Sequence, residues 1–88
     1  MTSLYSELKI WKRKGEGVVV LYRCFQSLAG GKFAVQSADF FKLPVDIERL
    51  QQSEKQFLEL LLEVPPSERC DWFDSLEEAI AAHDNEFS

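Results

Sequence analysis

The sequence predicts an α+β fold in which a small three-stranded antiparallel meander packs on two C-terminal helices. Three observations predict it. Residues 8–38 hold three runs in β-strand style, separated by glycine turns. Residues 47–63 carry apolar side chains at helical spacing and end before Pro65-Pro66. A second capped apolar stretch follows Asp74 and Ser75. At 88 residues, 45% hydrophobic and 28% charged, the chain fits one domain spanning 1–88, with no repeat and no linker.

The first predicted strand is Leu8-Lys9-Ile10-Trp11-Lys12-Arg13-Lys14, which alternates apolar with charged residues. A helix over residues 3–13 competes with it, with Leu4, Leu8 and Trp11 on one side. Ile10 falls off that side, so the strand is preferred. Gly15-Glu16-Gly17 is the next turn. The central strand, Val18-Val19-Val20-Leu21-Tyr22-Arg23-Cys24-Phe25, is the richest in branched and aromatic residues. Gly30-Gly31 closes a hairpin onto Lys32-Phe33-Ala34-Val35-Gln36-Ser37-Ala38, since glycine takes the positive φ that such a loop demands.

After Pro44, Asp46 is the predicted N-cap of a helix from Ile47 to Glu63. At about 100° per residue, Ile47, Leu50, Phe57, Leu58, Leu61 and Leu62 share one broad apolar arc. Glu48, Gln52, Lys55, Glu59 and Glu63 line the other side. Glu54 lies inside the arc, so it either reaches water at an overhang or meets a cation such as Arg23. Residues 69–73 are expected to be extended. The last helix has capping-box spacing at Ser75 and Glu78 and an apolar side of Leu76, Ala79, Ile80 and His83.

Two helices are expected to cover one sheet face, which leaves the other to be explained. Both alternating sets on the central strand are apolar: Val18, Val20, Tyr22 and Cys24 on one side, Val19, Leu21 and Phe25 on the other. A solvated antiparallel face reads mostly polar instead. Either another segment of the chain covers the second face or that face meets another molecule. The second is preferred, and the expectation is a small non-catalytic interaction or regulatory protein. It binds another protein, or a second copy of itself, through a bare sheet face or an exposed strand edge. Trp11, Val20, Tyr22, Phe40 and Phe41 are the candidate contact residues. Phe40 and Phe41 are adjacent, so a regular strand cannot turn both inward.

Charge provides the alternative. Residues 1–32 hold six cations and two acids, while residues 33–88 hold four cations and thirteen acids. Lys9, Trp11, Lys12, Arg13 and Lys14 place four cations around an indole, the composition of a nucleic-acid accessory site. The net charge of −5 weighs against that reading.

Other chemistries lack their residues. Cys24 and Cys70 are far apart and His83 is the single histidine, so no metal-ligand spacing exists and no cofactor is expected. The same three residues form no recognisable nucleophile–base pattern. Neither glycine pair precedes a helix, which excludes the phosphate-cradling loops. The longest uninterrupted apolar run, Val18 to Tyr22, has five residues and is too short for a membrane span. The N-terminus has no basic region followed by an apolar stretch, and two cysteines suit a reducing compartment; a cytoplasmic location is the expectation.

Overall fold

The computed structural model describes residues 4–87. Met1–Ser3, on which the expectation of no leader partly rests, lie outside the described residues, as does Ser88. The element order is β1 (Tyr5–Gly15), β2 (Val18–Ser27), β3 (Phe33–Lys42), α1 (Ile47–Glu63), α2 (Pro66–Arg69) and α3 (Leu76–Phe87). The strands form one antiparallel sheet in the order β1-β2-β3, as the sequence predicts. The alternative helix over 3–13 is replaced by β1. Gly17 (φ 70°) and Gly31 (φ 67°) take the left-handed conformation at the two turns, where a side chain would be strained.

β1 pairs with β2 from Tyr5↔Ser27 through Trp11↔Leu21 to Arg13↔Val19. β2 pairs with β3 from Val18↔Lys42 to Gln26↔Phe33, with a bulge where Arg23 faces Ser37 and Cys24 faces Val35. Gln36 is the extra residue, and its Nε2 donates to the Phe57 carbonyl of α1 at 3.2 Å.

The helices do not share a face, which corrects the expected layering. α3 covers one side of the sheet. There Val20, Tyr22 and Cys24 are buried with Leu8, Ile10, Val35, Ala38, Leu76 and Ile80 packed against them. α1 covers the other side, where the Phe57 ring stacks on Phe25 at 5.2 Å and Ser53 meets Arg23. Both apolar sets of the central strand are thus satisfied within the chain. The crossing is visible at Phe73, whose backbone pairs with Phe33 through two 2.8 Å hydrogen bonds at the outer edge of β3. There the segment after α1 reaches the β3 edge before α3 begins on the opposite face.

The helix signals act largely as expected. Asp46 Oδ1 accepts from the Glu48 and Arg49 amides at 3.0 and 3.3 Å, and Ser75 Oγ accepts from the Glu78 amide at 3.1 Å. Pro66 does more than stop α1: it opens α2 at a position where the missing N–H costs nothing. The extended piece expected at 69–73 therefore starts at Cys70, the C-cap of α2. No helix among the described residues is long and apolar enough to cross a membrane.

Candidate functional site

Strand alternation divides β1 between the two faces. Tyr5, Glu7, Lys9, Trp11 and Arg13 turn to the α1 side, opposite Ser27, Phe25, Arg23, Leu21 and Val19. Leu8, Ile10 and Lys12 turn to the α3 side, opposite Cys24, Tyr22 and Val20. Consequently the basic segment is no single patch. Lys9 Nζ sits 2.9 Å from Glu54 Oε1, while Lys12 Nζ, on the other face, sits 3.4 Å from Asp84 Oδ2. Trp11 stays 55% exposed, with its ring 6.4 Å from Phe41 across the sheet.

The five predicted contact residues are not brought together. Val20, Tyr22 and Phe41 are buried inside the chain and unavailable as surface. Trp11 and Phe40 are exposed but lie on opposite faces, since Trp11 pairs with Leu21 while Phe40 pairs with Val20. The sheet face that carries Val20 and Tyr22, expected to be bare, is filled by α3.

Both β1 and β3 are edge strands. The outer edge of β3 is met at Phe33 by Phe73 and at the Phe40 carbonyl by Arg49. The longer open edge is therefore that of β1, with a flank of α1 near its start. In the strand order β1 has one neighbour, so its other row of backbone donors and acceptors has no strand partner among the described residues. α1 runs from Arg49, whose guanidinium lies over Phe41 of β3, to Leu61 and Leu62 beside Tyr5 of β1. It buries Ser53 and Phe57 but leaves Leu58 at 54% and Leu62 at 76% exposed. The apolar arc of this helix is wider than the sheet beneath it. Between α1 and the start of β1 lies an open groove of about 730 Å³ whose lining includes Leu4, Tyr5, Phe25, Leu61, Leu62 and Pro65. The sequence does not show this groove, because helical periodicity marks the apolar arc but not which part of it the sheet covers.

Arg23 anchors α1 to the sheet beside this groove. It is 0% exposed, with Nε 3.1 Å from Ser53 Oγ, Nη1 3.1 Å from Glu54 Oε1, and its guanidinium carbon 5.6 Å from the Phe57 ring centre. Ser53 Oγ in turn donates to Asp39 Oδ2 at 2.7 Å. Glu54 thus meets both expectations raised by its place in the arc, a cation partner and a partly exposed carboxylate. The Lys9 ammonium, with Arg23 beside it, holds the Glu54 carboxyl below its usual range despite some burial.

A second network lies across the sheet. Tyr22 Oη donates to Asp84 Oδ1 at 2.8 Å, and the Tyr22 ring meets His83 edge-on at 6.2 Å. Burial, then the bond to Asp84, pushes the Tyr22 hydroxyl up to about 12. Burial chiefly raises the Cys24 thiol to about 12 as well. Both groups keep their protons in the folded chain after the unfolded chain has lost them. Stability should therefore decline as pH rises from about 9 towards 12. Tyr22→Phe should flatten part of that decline while costing about 1 kcal/mol at neutral pH, read by urea unfolding at several pH values. An unchanged alkaline slope in that variant would show that Tyr22 does not contribute to it.

Cys70 and His83 both line a shallow depression of about 260 Å³ against β3. Burial raises the Cys70 thiol, which opposes the thiolate that nucleophilic chemistry requires. No group of three or more His, Cys, Asp or Glu able to hold a metal occurs among the described residues. No family model, no curated protein and no solved structure matches this chain.

Proposed function

We propose that this chain is a non-catalytic protein-interaction module whose contact surface is the free edge of β1 together with the exposed flank of α1. One observation carries the reading: Leu62 stays exposed in the lining of an apolar groove beside the β1 edge, with Leu58 exposed one turn before it on α1, although both sheet faces are already covered. Scattered exposed apolar residues need no explanation, but a stripe continuous with a groove and an unpaired edge offers backbone hydrogen bonds and apolar burial together.

The test is photo-cross-linking in cells that express the chain natively. A benzophenone side chain placed at Leu58 or Leu62 should yield protein adducts, and one at Glu77 on α3 should not. Adducts absent from both helix-flank positions would contradict the proposal. Leu62→Asp should remove the adducts while changing unfolding free energy by no more than about 0.5 kcal/mol, as expected at so exposed a site.

Oligonucleotide binding is expected to be absent at low salt, because Lys9 and Lys12 lie on opposite faces and already hold carboxylates. Tight binding lost in a Lys12→Ala, Arg13→Ala, Lys14→Ala variant would instead support the nucleic-acid reading.

A further inference from the structure

We infer that the occupant of this surface is a second copy of the chain, joined through antiparallel β1–β1 pairing about a two-fold axis at Leu8. The inference rests on the interaction-module reading and names its partner. In this register Glu7 of each copy lies opposite Lys9 of the other, Tyr5 opposite Trp11, Ser6 opposite Ile10, and Leu8 opposite itself. Like charges never face each other, and two ion pairs form on the α1 side of the joined sheet. The two three-stranded sheets become one of six strands, and the open row of backbone groups on β1 is satisfied.

The pairing also accounts for two features that a single copy leaves unexplained. Tyr5 lines the groove beside Leu61 and Leu62, so the residue placed opposite it arrives at the mouth of that groove. That residue is Trp11, the half-exposed indole of β1. A flat aromatic entering an apolar groove is a recurrent way for an interface to gain affinity. Leu62 borders the same groove, which places the open flank of α1 at the rim of the joint.

Neighbouring registers do less well. Centred on Lys9, the pairing sets that lysine against itself. Centred on Trp11, it sets Lys9 against Arg13. Centred on Ile10, it matches Glu7 with Arg13 but puts Tyr5 opposite the Gly15 turn, leaving the groove uncovered. The Leu8 register combines matched charge with an occupied groove.

The experiment is sedimentation equilibrium of the full chain from micromolar to millimolar concentration. The wild type should form a reversible dimer. Glu7→Lys and Lys9→Glu should each dimerise about tenfold more weakly, since attraction becomes repulsion at both symmetric pairs. Their equimolar mixture should recover the affinity, because each then supplies the charge that the other lacks. Arg13→Glu should dimerise like the wild type; if it weakens instead, the Ile10 register replaces this one. A wild type that is monomeric throughout, or a mixture no tighter than its components, overturns the inference.

Lys9→Glu also faces Glu54 within its own chain, so a readout independent of that variant is needed. Trp72→Phe leaves Trp11 as the single indole. Its emission should shift to the blue as concentration rises, and an unchanged spectrum across the dimerisation range counts against the pairing. Failure here is separable from failure of the broader reading. Cross-linked adducts at Leu62 with the mass of a different protein sink self-pairing and keep the interaction module, whereas no adducts at all sink both.

Discussion

Arg23→Ala is expected to destabilise the fold by about 3 kcal/mol, and Arg23→Met by less than about 1 kcal/mol. Arg23 is the largest fully buried side chain, lying between the sheet and α1. Truncation empties the space over the Phe57 ring and removes the bonds to Ser53 and Glu54. The carboxylates are not stranded by the change: Glu54 keeps Lys9 and Asp39 keeps the Ser53 hydroxyl. The loss is therefore mainly a packing loss, which methionine largely refills. Methionine also eliminates Nη2, a buried donor that has no hydrogen-bond partner among the described residues. Urea midpoints at unchanged slope read both variants. Equal losses for alanine and methionine would show that the charge network, not the volume, holds α1 in place.

Phe57→Ala is expected to cost about 3–5 kcal/mol, the usual range for deleting a buried phenyl ring. The ring touches both the Phe25 ring and the Arg23 guanidinium, so its loss detaches the middle of α1 from β2. For a domain of this size that corresponds to a fall of roughly 20 °C in Tm. Phe25→Ala should be comparable, and the double variant should cost about 1 kcal/mol less than the sum, because the two rings stack on one another. Strict additivity would mean that the stack contributes nothing beyond the burial of each ring. Such losses are large against a total stability of about 5–15 kcal/mol.

These two positions also mark how far the sequence could be read. The β-branched run of β2, the glycine turns and Asp46 are local signals, and each sets its element near the observed boundary. Which face each helix takes is not a local property. It follows from the passage of residues 70–75 to the edge of β3, sealed by the Phe33–Phe73 pair, and no periodicity in either segment encodes that route. The two-sided apolar strand signals two covers, and of the two readings it allows, a second cover from the chain itself or an outside partner, the structure shows the first.

Arg23 is instructive in another way. One arginine in a run of Val, Leu and Tyr carries no sign of being buried. Its partner did leave a trace, since Glu54 interrupts the apolar arc of α1 and charges out of place on two elements imply each other. The groove beside β1 left none. Leu58 and Leu62 lie in the same apolar arc as the buried Phe57, and only the width of the sheet decides that they overhang it. Their exposure is what moves the candidate contact surface from the sheet face to its edge.

Hydrogen exchange followed against protein concentration tests these assignments most directly. Amides of Val20–Phe25 should be strongly protected, and equally so in dilute and concentrated samples, because α1 and α3 shield both faces of β2 within one chain. Alternate amides of Tyr5–Trp11 should gain protection only as concentration rises. Protection of β2 that disappears on dilution, with β1 unchanged, would mean that the central strand depends on another molecule for its cover and would contradict the account.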